Sequence, residues 1–318
     1  MPSADDGASR RPPASGHPAS FASALAAGPV VLDGGLATEL EARGHDLSGH
    51  LWSAKVLADK PEAVVDAHLA YYRAGAQVAT TASYQASVQG YVRAGLSRRE
   101  AVDLLVASVT VADTARAHVT TERPLLVAAS VGPYGAVLAD GSEYTGDYDI
   151  GVRELRRFHR PRLEVLAHAG ADVLAIETIP CLAEVEALLA ELELLDGMPA
   201  WLSVSCANGL TRRGEDPTEA FRMARGVDAV VAVGVNCTAP EDIDEVLPMA
   251  ATAHRPVIVY PNSGEGWDAD RRAWTGTPAF QPAQVRRWVR LGAAAIGGCC
   301  RVGPSEIAGI ARELRRSA

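Results

Sequence analysis

The sequence predicts an α/β protein whose single folded domain is a (β/α)8 barrel. Eight short runs of apolar, often β-branched residues recur along the chain, and each is followed by a longer segment with helical periodicity. The runs are nearly all apolar rather than alternating, which is typical of parallel strands buried on both faces. The 318 residues suffice for eight strand–helix units. A doubly wound open sheet is the alternative, because strand order cannot be read from one sequence.

The predicted strands are spread over the whole length of the chain. They are Pro29–Leu32, Gln77–Thr80, Leu125–Val131, Ala171–Ile176, Ala200–Val204, Ala229–Val235, Val257–Tyr260 and Ala293–Ile296. In a barrel the carboxyl ends of the strands meet at one mouth, where active sites lie. The residues just after each run are therefore the first candidates for function.

The segments between the runs carry helix signals. Ser97 and Glu100 form an S-x-x-E capping box at the start of one helix. The last helix is expected to begin at Pro304, because proline is well suited to the first helical turn. Pro161 interrupts the segment that follows Gly151, so that helix is expected to be kinked or to begin late.

Residues 1–27 are expected to be a disordered leader, and residues 28–318 the barrel domain. The leader begins MPSADDGASRRPPASGHPAS, which has too little apolar surface to order itself and lacks the apolar segment of a secretory signal. Beyond the leader, no change of composition indicates a linker or a second domain.

Composition and charge narrow the range of partners. The chain has 30 Lys+Arg against 39 Asp+Glu, a formal net charge of −9, and no basic run, which argues against a nucleic-acid or anionic-membrane partner. No apolar stretch approaches the ~18 residues of a membrane helix.

The number of cysteines bears on the redox state of the chain. Five cysteines are an odd number in a chain without a signal. We therefore expect reduced thiols and a cytoplasmic location rather than a disulfide framework.

Three of the cysteines follow predicted strands. Cys237 follows the sixth run, and Cys299 and Cys300 follow the eighth. Three thiolates with an open fourth position are typical of a catalytic zinc site. The alternative is that they are ordinary buried cysteines, since free cysteine packs as a small hydrophobe and no C-x-x-C pair is present. We interpret Cys181 and Cys206 as inert, with Cys206 a less favoured alternative ligand.

Two carboxylates, Asp33 and Glu177, close the first and fourth runs. Buried acids need partners, so one interpretation is pairing with an arginine or a backbone turn. Another is that two anions at one mouth bind a cationic group such as an ammonium. A third is a glycosidase-like acid–base pair, although aromatic residues for sugar stacking are only 5% of the chain. The sequence contains no dinucleotide-binding, P-loop, zincin or serine-hydrolase motif.

Two of the predicted mouth loops are long, residues 132–151 and 261–280. Loops of this length in a compact domain are usually lids or binding segments, or else disordered. Their aromatic residues, which disfavour disorder, are Tyr134, Tyr144, Tyr148, Trp267 and Trp274.

Together, the pieces at the strand ends resemble the homocysteine S-methyltransferase family. The resemblance spans nearly the whole chain beyond the leader in consistent order, and GVNC followed by GGCC is the family's zinc signature. The matching stretches are VVLDGGLATEL (Val30–Leu40), LWSAKVL (Leu51–Leu57), TTASYQAS (Thr80–Ser87), SVGPYGAVLADGSEYTGDY (Ser130–Tyr148), IETIP (Ile176–Pro180), GVNC (Gly234–Cys237), YPNSGE (Tyr260–Glu265) and GGCCRVGP (Gly297–Pro304).

The resemblance implies a metal site and a binding site for an amino acid's ammonium. By this resemblance Cys237, Cys299 and Cys300 would hold Zn²⁺. Asp33 and Glu177 would bind the ammonium of homocysteine.

It also implies further contacts around the substrate. The backbone N–H groups of Gly34 and Gly35 would receive the homocysteine carboxylate. Asn236 would lie beside the metal in a supporting role, or act only as a turn residue. Tyr84 would lie against the substrate, or pack at the barrel mouth.

The activity that the resemblance implies is zinc-dependent methyl transfer from a sulfonium donor to the thiol of L-homocysteine, giving L-methionine. The LADGSEYTG loop looks like that of the branch that uses S-methylmethionine, and S-adenosylmethionine is a second sulfonium donor. Cation–π contacts with the sulfonium are expected from one or more of Tyr134, Tyr144, Tyr148 and Trp267. The alternatives are a metal-free barrel hydrolase or lyase that uses Asp33 and Glu177, and a non-catalytic zinc or thiol carrier.

Overall fold

Eight parallel strands follow one another around a ring, as the sequence predicts. The computed structural model describes residues 20–47, 52–268 and 273–317. The barrel strands are β1 (Val30–Val31), β2 (Val78–Thr80), β3 (Leu126–Val131), β4 (Val173–Ile179), β5 (Ala200–Val204), β6 (Val230–Asn236), β7 (Val257–Tyr260) and β8 (Ala293–Ile296). Each overlaps its predicted run, because strands covered on both faces are marked by continuous apolar sequence.

The order of the strands distinguishes a barrel from an open sheet. Neighbours pair in the order β1–β8–β7–β6–β5–β4–β3–β2. The ring closes between β1 and β2 through a parallel bridge from Leu32 to Val78. The Gln77 N–H also donates to the Val31 carbonyl across this seam, at 2.7 Å. The open-sheet alternative is therefore wrong.

Helices alternate with the strands along the chain. They are α1 (Phe21–Ala27), α2 (Leu36–Ala42), α3 (Trp52–Asp59), α4 (Pro61–Ala74), α5 (Val88–Arg93), α6 (Arg98–Ala117), α7 (Tyr134–Leu138), α8 (Val152–Ala167), α9 (Leu182–Leu192), α10 (Pro217–Arg225), α11 (Ile243–Ala250), α12 (Val285–Arg290) and α13 (Pro304–Ser317). The predicted capping box is confirmed, since the Ser97 side chain accepts from the Glu100 N–H at 3.2 Å and the Glu100 side chain accepts from the Ser97 N–H at 2.8 Å. The predicted start of the last helix at Pro304 is also confirmed.

Helix α8 contains Pro161 in its interior. The expectation that this helix begins late is wrong, because the helix already begins at Val152. A proline costs the helix one backbone hydrogen bond. Leu155 and Leu163, on either side of the proline, are fully buried, so packing against the barrel compensates for the lost bond.

Helix α1 corrects the predicted boundary of the leader. Residues 1–19 of the expected leader lie outside the described residues, but Phe21–Ala27 form a helix. Phe21 is fully buried, and its ring centroid lies 5.1 Å from that of Trp201 in the barrel interior. Only Gly28 and Pro29 separate α1 from β1, so α1 covers the end of the barrel where the strands begin. The alanine-rich sequence of α1 gave no sign of this burial.

Both long mouth loops contain regular structure. Residues 132–151 include α7 and a 3₁₀ turn at Ser142–Tyr144. Residues 261–280 include an antiparallel pair of short strands, Gly266–Asp268 with Ala273–Thr275. Within the described part of the chain, no helix is long and apolar enough to cross a membrane.

We predict that Phe21→Ala lowers the free energy of unfolding by about 3 kcal/mol, because it empties a fully buried aromatic site. Urea unfolding followed by circular dichroism measures the change. Ser23→Ala, at an exposed position of the same helix, is the matched control and is expected to change stability by less than about 0.5 kcal/mol. Equal effects of the two substitutions would show that α1 does not pack on the barrel in solution.

Candidate metal centre and substrate cavity

Three thiols meet at the barrel mouth, where the sequence predicts a metal site. Cys237 follows β6, and Cys299 and Cys300 lie just beyond β8. The Cys300 Sγ is 3.6 Å from the Cys237 Sγ and 4.0 Å from the Cys299 Sγ, and all three sulfurs lie within 4.8 Å of one another. Zn–S bonds of about 2.3 Å in a tetrahedral site place sulfurs ~3.8 Å apart. The cluster therefore has the donor type and the spacing of a three-thiolate zinc site.

Two glycines allow the segment after β8 to approach β1. A Cβ added to Gly297 would lie 2.6 Å from the Asp33 carbonyl oxygen, and one on Gly298 would lie 2.1 Å from the Val302 side chain. With no side chain in the way, the Gly298 N–H donates to the Asp33 carbonyl at 2.9 Å. This close approach places Cys299 beside the end of β1.

Cys237 has an unusual backbone conformation. Its φ of 50° lies in the left-handed region, which non-glycine residues rarely adopt. Its carbonyl accepts a hydrogen bond from the Arg212 Nη2 at 2.9 Å, and the Arg212 Nε donates to the Ser205 hydroxyl at 3.0 Å. Arg212 therefore holds the strand end that turns the Cys237 side chain toward the other two thiols.

Three thiols this close cannot all ionise without a cation, since like charges disfavour each other. Hydrogen bonds from Cys237 and Cys299 lower the pKa of Cys300 well below its usual range. Hydrogen bonds with Cys237 and Cys300, together with burial, raise the pKa of Cys299 well above the usual range of a thiol. One thiolate is thus stabilised by neighbours that keep their protons. A divalent cation among the sulfurs would replace those protons.

The remaining two cysteines lie apart from this cluster. Cys206 is fully buried, and its N–H donates to the Thr238 hydroxyl at 2.9 Å. Cys181 packs with Tyr148 and Leu155 in a small apolar cluster. Among the described residues, the group with metal-ligand spacing contains neither of them, so the alternative of Cys206 as a ligand is not supported.

The thiols open onto a cavity of about 290 Å³ at the mouth. Its wall combines the ends of seven barrel strands with the turn that carries Tyr144. The polar lining residues include Asp33, Thr80, Tyr84, Gln85, Ser130, Glu177, Thr178, Tyr260 and the three cysteines. Both predicted carboxylates and the predicted metal ligands therefore face one space.

Asp33 lies at the end of β1 and is 4% exposed. Its carboxylate accepts hydrogen bonds from the Thr80 N–H at 2.6 Å and the Thr80 hydroxyl at 2.8 Å. Burial raises the pKa of Asp33 to about 8 despite these bonds, and the nearby Glu177 contributes in the same direction. A cation bound beside Asp33 would favour the ionised form.

Glu177 lies inside β4, two residues before its end, and is 7% exposed. The Ser130 hydroxyl donates to its carboxylate, and the Tyr260 hydroxyl is a second partner. Burial raises the pKa of Glu177 to about 7, and the neighbouring Cys237 acts in the same direction. Both acids are thus held by hydroxyl and amide groups rather than by an arginine, which leaves their charge available to a ligand.

The expectation that the Gly35 amide receives a carboxylate stays a prediction. The Gly35 N–H donates to the Val302 carbonyl at 3.0 Å, so this donor is already used within the protein. A Cβ on Gly34 would lie 2.3 Å from the same carbonyl oxygen, and one on Gly35 would lie 2.6 Å from the Cys299 carbonyl oxygen. Both glycines are therefore needed for close packing of backbone on backbone. The role of the Gly34 amide stays a prediction.

Asn236 links the metal centre to the segment that carries Glu177. Its Oδ1 accepts from the Thr178 N–H at 2.7 Å, and its Nδ2 donates to the Thr178 hydroxyl at 2.7 Å. The same Nδ2 lies 4.0 Å from the Cys299 Sγ. Thr178 has a φ of 61°, which is a strained conformation for a β-branched residue. The Thr178 hydroxyl in turn bonds the hydroxyl of Tyr84.

Comparison with known proteins agrees with this geometry. The sequence profile of the homocysteine S-methyltransferase family matches residues 30–314. The chain is 44% identical over 302 residues to the homocysteine S-methyltransferase YbgG of Bacillus subtilis, covering 90% of this chain and 95% of that protein. It is 46% identical over 293 residues to the homocysteine S-methyltransferase of Escherichia coli, covering 88% and 94%. This chain belongs to the homocysteine S-methyltransferase family.

A crystal structure from the family has the same architecture. The metallated form of the homocysteine methyltransferase MmuM of Escherichia coli aligns with a TM-score of 0.81 at 42% identity, covering 90% of this chain and 96% of that one. The predicted family and barrel fold are thus confirmed, whereas the roles assigned to individual residues stay predictions.

The aromatic residues expected to hold a methyl donor separate into different environments. Tyr144 lines the cavity and is 40% exposed. Tyr134 packs edge-on against Tyr148 at 5.5 Å and against Phe158 at 4.9 Å, behind the mouth loop. The Trp267 side chain lies outside the described residues. Of the three whose side chains are described, Tyr144 is the one that lines the cavity.

Several residues of the site were not singled out from the sequence. Thr80, Ser130 and Tyr260 hold the two carboxylates, and Arg212 holds the Cys237 backbone. Thr80 and Tyr260 end predicted strands and Ser130 is the last residue but one of another, so position near a strand end was the signal available for them. Arg212 lies on a short hairpin beyond β5 and carried no such signal.

The raised pKa values predict a pH dependence of stability. Folding raises the pKa of Asp33 and Glu177 to about 8 and about 7. Protonation of these acids therefore favours the folded state, and this contribution is lost as the pH rises through those values. We expect the free energy of unfolding of the metal-free protein to fall more steeply between about pH 5 and about pH 8.5 than that of Asp33→Asn. Urea unfolding at a series of pH values measures this free energy. The same slope against pH in both proteins would contradict the prediction.

Proposed function

We propose that this protein transfers a methyl group from a sulfonium donor to the thiol of L-homocysteine, giving L-methionine, with Zn²⁺ held by Cys237, Cys299 and Cys300. The observation that carries the proposal is the opening of the three-thiol cluster onto the same cavity as Asp33 and Glu177. Family membership supports it, as does the metallated form of the Escherichia coli relative. Small-molecule substrates and a cytoplasmic location, without nucleic-acid or membrane partners, are part of the same proposal.

The cavity supplies complementary groups for two ends of an amino acid that carries a thiol. The ammonium fits beside Asp33 and Glu177, because a cation there removes the unfavourable burial of two carboxylates. The thiol fits at the open position of the three-cysteine cluster. A substrate held at both ends has its sulfur fixed, which lowers the entropic cost of reaching the reactive geometry.

Charge favours reaction of that sulfur. Bound Zn²⁺ would act as a Lewis acid that keeps the substrate thiol deprotonated at neutral pH. Three cysteine thiolates carry one negative charge more than a divalent ion neutralises, so the surroundings of the substrate sulfur stay electron-rich. The substrate's thiol proton leaves to solvent before transfer.

Methyl transfer from a sulfonium neutralises charge. The electron pair of the homocysteine thiolate forms the new S–CH₃ bond, and the pair of the breaking bond leaves with the donor sulfur as a neutral thioether. Tyr144 lies at the cavity and near the thiols, where its ring would attract the sulfonium by about 1–2 kcal/mol once water is excluded. S-Methylmethionine is the donor that we propose, with S-adenosylmethionine as the second candidate.

The two other functions fit the site less well. A metal-free hydrolase or lyase that uses Asp33 and Glu177 would leave three converging thiols without a role. A zinc or thiol carrier would need neither the paired carboxylates nor a cavity of about 290 Å³ beside the metal.

We predict that the purified protein binds about one zinc ion per chain. Cys299→Ala removes a ligand and is expected to lower the bound zinc severalfold, as measured by elemental analysis after dialysis. Cys206→Ala is the matched control, since Cys206 is buried outside the cluster, and is expected to keep its zinc. Equal zinc content in both variants would contradict the three-cysteine site.

The activity is tested with homocysteine labelled with ¹³C in its carbon chain and unlabelled S-methylmethionine. We expect labelled and unlabelled methionine in equal amounts, because the acceptor and the spent donor both become methionine. Labelled methionine formed only when S-adenosylmethionine is supplied would move the assignment to that donor. If zinc-loaded protein formed no labelled methionine with either compound, the proposed reaction would be wrong.

A further inference from the structure

A chain of three buried polar side chains lies behind the mouth loop, outside the cavity. It consists of Arg162 and His159 of α8 and Glu184 of α9, all fully buried, and is called the relay here. The Arg162 Nη2 lies 2.7 Å from the His159 Nδ1, and the His159 Nε2 lies 2.7 Å from the Glu184 Oε1. Because a guanidinium only donates, Nδ1 accepts, and a neutral imidazole donates from Nε2 to the carboxylate.

The charges around His159 agree with this protonation. Burial and the neighbouring Arg162 lower the pKa of His159 to about 4, although Glu184 opposes the shift. The relay thus keeps one positive and one negative charge at its two ends, joined by a neutral ring with a fixed tautomer. Each hydrogen bond in the relay therefore has one donor and one acceptor, and this fixes the orientation of the side chains in a way that an apolar cluster would not.

Both ends of the relay bind the backbone of mouth loops. Arg162 donates to the carbonyl of Gly132, after β3, and to the carbonyl of Ala86, after β2, at 3.4 Å in the latter case. Glu184 accepts from the Tyr134 N–H at 2.6 Å. Arg162 therefore joins two separate loops, and Glu184 fixes the first residue of α7.

The backbone groups that the relay binds lead directly to the cavity. The Gly132 N–H donates to the Tyr84 carbonyl at 3.2 Å, and a Cβ on Gly132 would lie 2.6 Å from the Tyr84 ring. On the other side, a Cβ on Gly135 would lie 2.4 Å from the Glu143 nitrogen, so α7 packs on the turn that carries Tyr144. Tyr84 and Tyr144 both line the cavity.

We infer that the relay is a positioning device that sets Tyr84 and Tyr144 as the aromatic wall for the cationic methyl donor. The inference rests on the proposed function. The relay contacts the loops after β2 and β3, whereas the carboxylates and the thiols are held by other groups. Loss of the relay should therefore weaken use of the donor and leave binding of homocysteine unchanged.

Energetics support a positioning role over a stabilising one. Replacing a buried ion pair with well-packed apolar residues is often neutral or stabilising. Apolar residues, however, would leave the carbonyls of Ala86 and Gly132 and the N–H of Tyr134 without partners. The polar relay supplies hydrogen-bond partners for these backbone groups and so fixes the positions of the two loops.

The chain provides a matched control on the same helix pair. Glu191 lies two turns beyond Glu184 on α9, is 2% exposed, and accepts from Arg156 and Arg160 of α8 at 2.7 Å each. Glu191→Gln therefore perturbs α8–α9 contacts without touching a mouth loop, whereas Glu184→Gln perturbs the relay. Any effect through general loosening of the helices should be common to both variants.

The test compares zinc-loaded wild type, Glu184→Gln and Glu191→Gln by steady-state kinetics with S-methylmethionine and homocysteine varied separately. We expect Glu184→Gln to raise the donor KM about tenfold and to change the homocysteine KM less than twofold. Hydrogen exchange of backbone amides in residues 132–146 should quicken in the same variant. Glu191→Gln should show neither effect. Equal shifts in both KM values, or the same shifts in Glu191→Gln, would overturn the inference.

A second variant covers the case in which Glu184→Gln fails to fold because it leaves Arg162 buried without a counter-charge. The combination Arg162→Met with Glu184→Gln removes both charges together and is expected to fold, with the same donor defect and faster exchange. If wild type transfers no methyl group at all, the proposed function is wrong. The exchange data still test the relay in that case, because unchanged exchange in residues 132–146 of the variants would overturn its positioning role.

Discussion

The close approach of the β8–α13 turn to the end of β1 is the contact on which the rest of the site depends. Four glycines, Gly34, Gly35, Gly297 and Gly298, make it possible, because a Cβ at any of them would lie within 2.6 Å of neighbouring atoms. The resulting backbone hydrogen bonds fix Asp33 and Cys299 relative to each other. The Asp33 carboxylate and the Cys299 thiol thereby reach one cavity from the first and last strands of the ring.

Support for the site extends through the barrel interior. Phe21 of α1 packs on Trp201, whose indole N–H donates to the Tyr260 hydroxyl at 2.9 Å. Tyr260 in turn is a hydrogen-bond partner of Glu177. A helix at one end of the barrel is thus connected to a carboxylate at the other by packed, hydrogen-bonded side chains. The position of Glu177 depends on this interior packing as well as on its own strand.

The sequence was sufficient for the fold and for the convergence of the three cysteines but not for the finer contacts. The strands could be predicted because burial on both faces leaves an apolar run, and the cysteines because strand ends converge in a barrel. The use of the Gly35 amide by Val302 depends on a contact between segments far apart in sequence, which no local pattern encodes. The burial of Phe21 depends likewise on Trp201, and the separation of Tyr144 from Tyr134 depends on how one loop folds back on α8.

The charge of the cavity argues for the class of donor that it accepts. In the proposed function, three thiolates and two buried carboxylates would face a single space, and a divalent ion with one ammonium would offset only part of that charge. An anionic or neutral donor would leave the excess unbalanced in surroundings of low polarity, where like charges repel strongly. The proposed sulfonium donor would bring the missing positive charge and lose it on methyl transfer. The sulfur of the spent donor would then be neutral, so the attraction that favours entry of the donor would end with the reaction.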